Sequence, residues 1–210
     1  MNHYSTSKKI PKTQRGRETR EKLLEAAEKE FGERGYHDAA ISGITQSAGV
    51  ALGTFYVYFD SKEEIFRALV AHMSHLTRTW IAERVAESPD RLTAERRGVE
   101  AFIEFVRKHG NLYQIISEAQ FVAEDAYREY YSGFAEAYRQ NLERAAADRQ
   151  IREGDYEVWA WALIGISVFL GMRFGVWDDS RSAKEMAAAV ADLISTGMLP
   201  ENDRLRSEKV

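Results

Sequence analysis

An all-α fold is predicted by three features of the 210-residue sequence. Only three prolines occur, Pro11, Pro89 and Pro200, which leaves long stretches free to continue as helix. Apolar residues recur at helical spacing, as in Leu23, Leu24, Ala27 and Phe31, and again in Ile41, Ile44 and Ala48. The regularly spaced turn signals of a β protein are missing.

Each element follows from local signals. The first helix is predicted over residues 15–34, with Gly35 as its stop. The second carries Ile41, Ile44 and Ala48 and ends at Gly49, a residue able to take the positive φ of a tight turn. A very short third helix is predicted over 52–58. Ser61-Lys62-Glu63-Glu64 matches the S-x-x-E capping box, so a fourth helix starts there and runs towards Glu87. Beyond Pro89, helices are predicted over 92–108, 111–122, 125–149, 155–177 and 182–196, separated by Gly110, Gly154 and Asp178-Asp179-Ser180. The fourth helix crosses the boundary expected near Ile65. The expected organisation is a basic arm (1–14), a helix-turn-helix domain (15–64), a larger helical domain (65–200) and a tail (201–210).

Composition narrows the function. A hydrophobic content of 44% suffices for a packed core. Without cysteine there are no disulfides, no cysteine-held zinc or iron–sulfur cluster and no thiol chemistry. The polar, basic N-terminus lacks the apolar segment of a signal peptide, and a cytoplasmic location is expected. The net charge of −4 is unevenly spread. Residues 1–62 carry ten Lys/Arg against eight Asp/Glu, and residues 1–22 carry seven against two. Lys8, Lys9, Lys12, Arg15, Arg17 and Arg20 form an arm suited to phosphate attraction, and such an arm can be a solvated tail in the free protein and order on DNA.

No enzyme constellation is present: there is no HExxH, Gly-rich phosphate loop, nucleophile elbow or paired-carboxylate motif. His72 and His75 stand three apart without a matching set of acidic or cysteine ligands, so no metal and no cofactor is expected. A scaffold that binds only protein leaves unexplained why Tyr56, Tyr58 and Lys62 accompany a basic arm.

Two helices joined by a tight glycine turn, the second too short for an ordinary core helix, form a helix-turn-helix. Phe55 and Phe59, four apart, anchor the short helix inward. Gly53, Thr54 and Val57 then face outward, flanked by Tyr56 and Tyr58, whose hydroxyls suit phosphates. Lys62 adds charge at the start of the fourth helix.

Residues from about Arg17 to Ala71 resemble the DNA-binding domain of the TetR family of transcriptional regulators. The resemblance is carried by Phe31 with Gly35-Tyr36, Ala48-Gly49-Val50, Gly53-Thr54-Phe55-Tyr56, Tyr58-Phe59 and Ser61-Lys62-Glu63. It implies that Ser42, Leu52, Gly53, Thr54, Tyr56, Val57, Tyr58 and Lys62 line double-stranded DNA, while Tyr36 is read as core. The chain departs from the family pattern at Ala39-Ala40 and Ala51, where helix caps are usual, and at Gly43 and Thr45, where Asp and Ala are usual. Each missing cap costs about 1 kcal/mol. With no Arg, Asn or Gln facing outward from the short helix, readout falls to apolar contacts with thymine methyls.

Residues 158–177 are apolar nearly all round and about long enough to span a bilayer. Arg173 within, several glycines and acidic residues at both ends favour a helix buried in a core and subunit interface. Ala187, Ala188, Ala189 and Ala191 allow a close neighbour. The resemblance implies the same homodimer through the last two helices, with Ile166, Phe169, Ala188 and Ala191 at the interface, reading a palindromic operator. It also implies a small effector in the larger domain. Tyr113, Glu118, Phe121, Tyr127, Trp161 and Arg173 are its predicted wall, Arg173 holding the polar end or else pairing with Glu118 or a second subunit. Asn111-Leu-Tyr and Glu118-Ala-Gln-Phe-Val are similar to regulators that sense acyl-CoA or lipid-like acids. The expected function is a repressor released by an apolar effector; the alternative is a helical dimeric DNA-binding protein without one.

Overall fold

The computed structural model describes residues 11–196, which form nine α-helices, the eighth continued by a π-helical segment, and no strand. Lys8, Lys9, Pro200 and the tail lie outside the described residues. The helices are α1 (Gln14–Asp38), α2 (Ile41–Ala48), α3 (Leu52–Tyr58), α4 (Lys62–Val85), α5 (Arg91–Lys108), α6 (Leu112–Val122), α7 (Glu124–Ala147), α8 (Tyr156–Gly171) with the π-segment Met172–Trp177, and α9 (Ala183–Thr196).

The first helix breaks at Gly35, where the sequence suggests, and one short further turn follows. Gly35 takes φ 74° and ψ 165°, kinking α1, and helical hydrogen bonding resumes to Asp38. The start of α4 differs in detail. Ser61 Oγ accepts from the Glu64 amide at 3.1 Å, but the Glu64 carboxylate reaches the amide of Asp60, one residue before the one a capping box predicts. The predicted helix over 155–177 changes type after Gly171. Arg107 Nη2 donates to Phe174 O at 2.9 Å within this segment and to Arg181 O at 2.6 Å in the connection after it.

Compactness groups the chain differently from the linear boundary near Ile65. One unit joins the chain up to Arg78 with His109–Ala137; the other joins Thr79–Lys108 with Tyr138 onward. In the first, α1 packs on α2 and α6, and α2 on α3. Its fully buried side chains include Leu23, Phe31, Ile44, Phe55, Phe59, Phe66 and Ile115. Tyr36 belongs to this core, its ring 5.0 Å from that of Phe66 and 5.9 Å from that of Phe31. Polar ties bring the later helices in: His109 Nδ1 lies 3.0 Å from Glu28 Oε1, and Arg67 of α4 pairs with Asp125 of α7.

In the second unit α5 packs on α9, on α8 and on the π-segment. Val99 and Ile103 meet Ala183, Met186, Ala187 and Val190, with Ile166, Leu170 and Phe174 against them. One charge is buried here: the Glu95 carboxylate accepts from Arg91 Nε at 2.7 Å and from the Tyr138 hydroxyl. Burial, then the adjacent carboxylate, hold the Tyr138 pKa well above its ordinary value. Removing one member of such a triad would leave a buried charge without its partner, which is strongly destabilising.

Candidate DNA-binding face

The turn between α2 and α3 is built as the sequence suggests. Gly49 is left-handed at φ 66°, ψ 34°, and the Val50 amide closes back onto Thr45 O at 3.0 Å, satisfying the last carbonyls of α2. Phe55 and Phe59 are fully buried, with ring centroids 5.7 Å apart. They fix α3 against the core, and its opposite face is open: Leu52 is 52% exposed, Tyr56 48% and Val57 61%. Between them a Cβ placed on Gly53 meets nothing within 4 Å. Thr54 and Tyr58 are half-buried, the Tyr58 hydroxyl lying beside the first turn of α1 near Gly16. Ser42 is exposed on α2. Seven of the eight residues predicted to line DNA therefore lie on α2 and α3.

Lys62 is placed differently from the expectation of a spare charge beside DNA. Its Nζ donates to Tyr36 O at 2.7 Å, His37 O at 3.0 Å and Ala39 O at 2.9 Å, and it sits 4.7 Å from the Tyr36 ring centroid. An ammonium has three donors, and all three are used to hold the α1–α2 connection. The cation serves the carbonyls at the end of α1, where the helix dipole favours positive charge.

The missing cap of α2 has a tertiary replacement. Ala40 makes no side-chain cap, but its amide donates to Glu30 Oε1 at 3.2 Å, and Glu30 is steadied by Arg34 Nε at 3.3 Å. A Cβ on Gly43 would fall 2.4 Å from that same Glu30 oxygen. The small residue at Gly43 thus makes room for a carboxylate supplied by α1, which sits at the positive end of α2. Glu30→Ala is expected to lower stability by about 1 kcal/mol. Gly43→Asp, which sets two carboxylates against each other, is expected to cost more, and Gly43→Asp with Glu30→Ala should recover part of that loss in urea unfolding. No local spacing marks Glu30 for this role.

Arg20, one of the arm cations, is likewise used within the protein. Its guanidinium lies 5.3 Å from the Phe59 ring centroid, bracing the end of α3. Burial pushes its pKa down, and the Glu64 carboxylate partly offsets that.

The residues predicted to wall an effector site are divided. Tyr113, Glu118, Phe121 and Tyr127 belong to the first unit, Trp161 and Arg173 to the second. Phe121 is 86% exposed and lines no interior of its own unit. Glu118 accepts from the Tyr36 amide at 2.6 Å and from Gln114 Nε2 at 2.7 Å, so its carboxylate is bound within the protein. Arg173 pairs with Asp178 at 3.1 Å on the surface and not with Glu118. A second aromatic group of the first unit is on α7: Tyr127 with Tyr131, Tyr131 with Tyr130, and Tyr130 with Phe134 meet edge-on or tilted, ring centroids 5.1 to 5.3 Å apart, with Tyr130 buried and the others half-buried. Burial pushes the Tyr130 pKa up, and that of Tyr131 to about 12, so both stay neutral donors. Among the described residues no group of three His, Asp or Glu is arranged to hold a metal ion.

The exposed α3 face, presented by a rigid aromatic anchor behind a glycine turn, defines a helix-turn-helix DNA-binding protein. Residues 23–69 match the model for bacterial regulatory proteins of the tetR family. The uncharacterized HTH-type transcriptional regulator YdgC of Bacillus subtilis (strain 168) is 30% identical over 203 residues, covering 91% of this chain and 98% of that one. The chain belongs to the tetR family of transcriptional regulators. The HTH-type transcriptional activator FasR of Mycolicibacterium smegmatis is 33% identical over 108 residues, 51% of this chain and 49% of that protein. Two solved structures share the fold. FadR from Bacillus subtilis in complex with stearoyl-CoA superposes with a TM-score of 0.74 at 20% identity, covering 85% of this chain and 99% of that one. AibR in complex with isovaleryl coenzyme A and operator DNA gives 0.66 at 16%, covering 83% and 97%.

Proposed function

We propose that this regulator is a cytoplasmic repressor that binds a palindromic operator as a homodimer and is released by a small apolar effector, an acyl-CoA or another lipid-like or aromatic acid. The observation that carries the DNA side is the open face of α3, where Leu52, Gly53, Tyr56 and Val57 stand clear of the core. With Ser42, Thr54 and Tyr58 they form the operator-contacting set, reading bases through methyl contacts and phosphates through hydroxyls. Lys62 contributes from behind by holding the α1–α2 connection.

The dimer is supported by apolar side chains that the chain leaves in water. Val158, Trp161, Phe169, Val176 and Trp177 are exposed along α8 and the π-segment, and Leu193 and Ile194 on α9. Positions 158, 161, 165, 169 and 176 fall on one helical stripe. Ala188 on α9 is exposed and Ala191 half-buried, whereas Ile166 packs into the core of its own subunit and leaves the interface set. A patch of this kind needs a cover, and a second copy supplies one by two-fold symmetry.

The effector reading draws on the α7 aromatics and on the coenzyme A thioesters named with the two structures of this fold. Tyr113 and Tyr127 remain its proposed wall, with the hydroxyls of the buried Tyr130 and the half-buried Tyr131 as polar groups. Trp161 is kept for the dimer, and Arg173, already paired with Asp178, is assigned no ligand. The test is selection of bound palindromes from random duplexes, followed by a thermal-shift screen of acyl-CoAs, fatty acids and aromatic acids and by operator release. A protein that selects a palindrome but is neither stabilised nor released by any of these is the effector-free DNA-binding dimer instead.

A further inference from the structure

The connection between α1 and α2 is held from three sides. Glu30 of α1 takes the Ala40 amide, Lys62 of α4 takes the carbonyls of Tyr36, His37 and Ala39, and Glu118 of α6 takes the Tyr36 amide. The first two come from within the helix-turn-helix segment. Glu118 comes from 82 residues away.

Its placement is specific. The 2.6 Å bond to Tyr36 N is a charge-assisted contact to a backbone donor that the kink at Gly35 has turned out of the helix. Gln114, one turn earlier on α6, donates to the other oxygen at 2.7 Å and so orients the carboxylate. A Cβ on Gly35 would lie 2.7 Å from Glu118 Oε1, so the left-handed glycine both exposes the amide and clears the approach. Tyr36 then joins the Phe31–Phe66 aromatic cluster, and Ala39 and Ala40 lead directly into α2.

We propose that Glu118 is a positioning residue for operator binding: through the Tyr36 amide it sets the α1–α2 connection, and with it the placement of α2 and α3 on DNA. The proposal rests on α2 and α3 being the operator-contacting pair. It assigns α6 a direct mechanical part in DNA affinity. Tyr113 and Phe121 ride on the same helix as Glu118, so anything that shifts α6 also moves the carboxylate that holds the α1–α2 connection.

Full-length protein is measured on the palindrome that the wild type selects, beside hydrogen–deuterium exchange at the Tyr36 amide. Glu118→Ala is expected to weaken operator binding about tenfold and to speed Tyr36 exchange by a similar factor, with the salt dependence and overall helicity unchanged. Glu118→Gln, whose carboxamide oxygen can still accept from Tyr36 N–H, is expected to restore most of both. Should Glu118→Ala fail to fold, Gln114→Ala, which only loosens the carboxylate, is expected to move both readouts the same way to a smaller extent. Wild-type operator affinity in Glu118→Ala, or in Gln114→Ala where that variant stands in, overturns the proposal. So does a Glu118→Gln protein that protects Tyr36 yet binds as weakly as the alanine variant. A wild type that selects no palindrome removes the operator reading instead, and the exchange arm then tells whether the anchor exists without it.

Discussion

Replacing Phe169 with Asp is expected to convert the protein to a monomer and to lower operator affinity at least about 100-fold, because two half-sites bound as one unit become two separate events. Phe169 is 68% exposed in the single chain, in the middle of the stripe from Val158 to Val176. It therefore supports little of its own subunit, and circular dichroism should report unchanged helix content. In a dimer the same position would bury a carboxylate against apolar side chains without a partner, a penalty that association does not recover. Ala188→Glu on α9 should act in the same direction through overpacking. Sedimentation equilibrium at micromolar concentration checks both, and a dimeric Phe169→Asp protein would falsify the proposed interface.

Gly53→Glu is expected to abolish specific DNA binding while leaving the fold as stable as before or more so. Nothing within 4 Å of the Gly53 Cβ direction restricts a side chain, and the residue has ordinary helical geometry. Replacing a helical glycine gains roughly 0.5–1 kcal/mol of propensity, and an acidic group in the first turn of α3 suits the helix dipole. On DNA the same carboxylate would press into the face where Leu52, Tyr56 and Val57 approach the bases and phosphates. An urea midpoint equal to or above that of the wild type, together with loss of the palindrome preference, is the expected pair of results. Retained operator binding would instead show that α3 does not enter the groove through this face.

The helix-turn-helix was legible because its signals are local. Gly49 as a left-handed stop, Phe55 and Phe59 four apart, and Ser61 three before Glu64 each act within one or two turns of backbone. Such features depend on φ/ψ preference and helical periodicity, both properties of a short stretch. The exposed set of α3 follows from the same periodicity once its buried side is known.

The burial of the residues predicted to wall an effector site was not legible in this way. Aromatics and polar groups over 111–140 identify a region, but Phe121 at 86% exposure and the interior Tyr130 look alike in sequence. Their difference is a rotation about α6 or α7 that neighbours decide. Arg173 is similar: its partner, Asp178, is five residues away, a spacing that a regular α-helix does not bring together, and the two meet across the π-helical segment that packs on α5.

By itself the sequence determined the helix order, the turn geometry of the DNA-binding pair, the apolar character of α8 and the absence of thiol chemistry, all of which depend on residues near one another in the chain, whereas the side of α8 left in water was decided by packing. Only the tertiary structure decided which charges are spent internally. Lys62 turned from a spare cation into the holder of three carbonyls, Glu30 into the cap that Ala40 lacks, and Glu118 into the tie between α6 and Tyr36. The physical reason is that backbone donors and acceptors at a helix end lack partners within the helix, and the side chain that reaches them is chosen by proximity in space, which no spacing along the chain encodes.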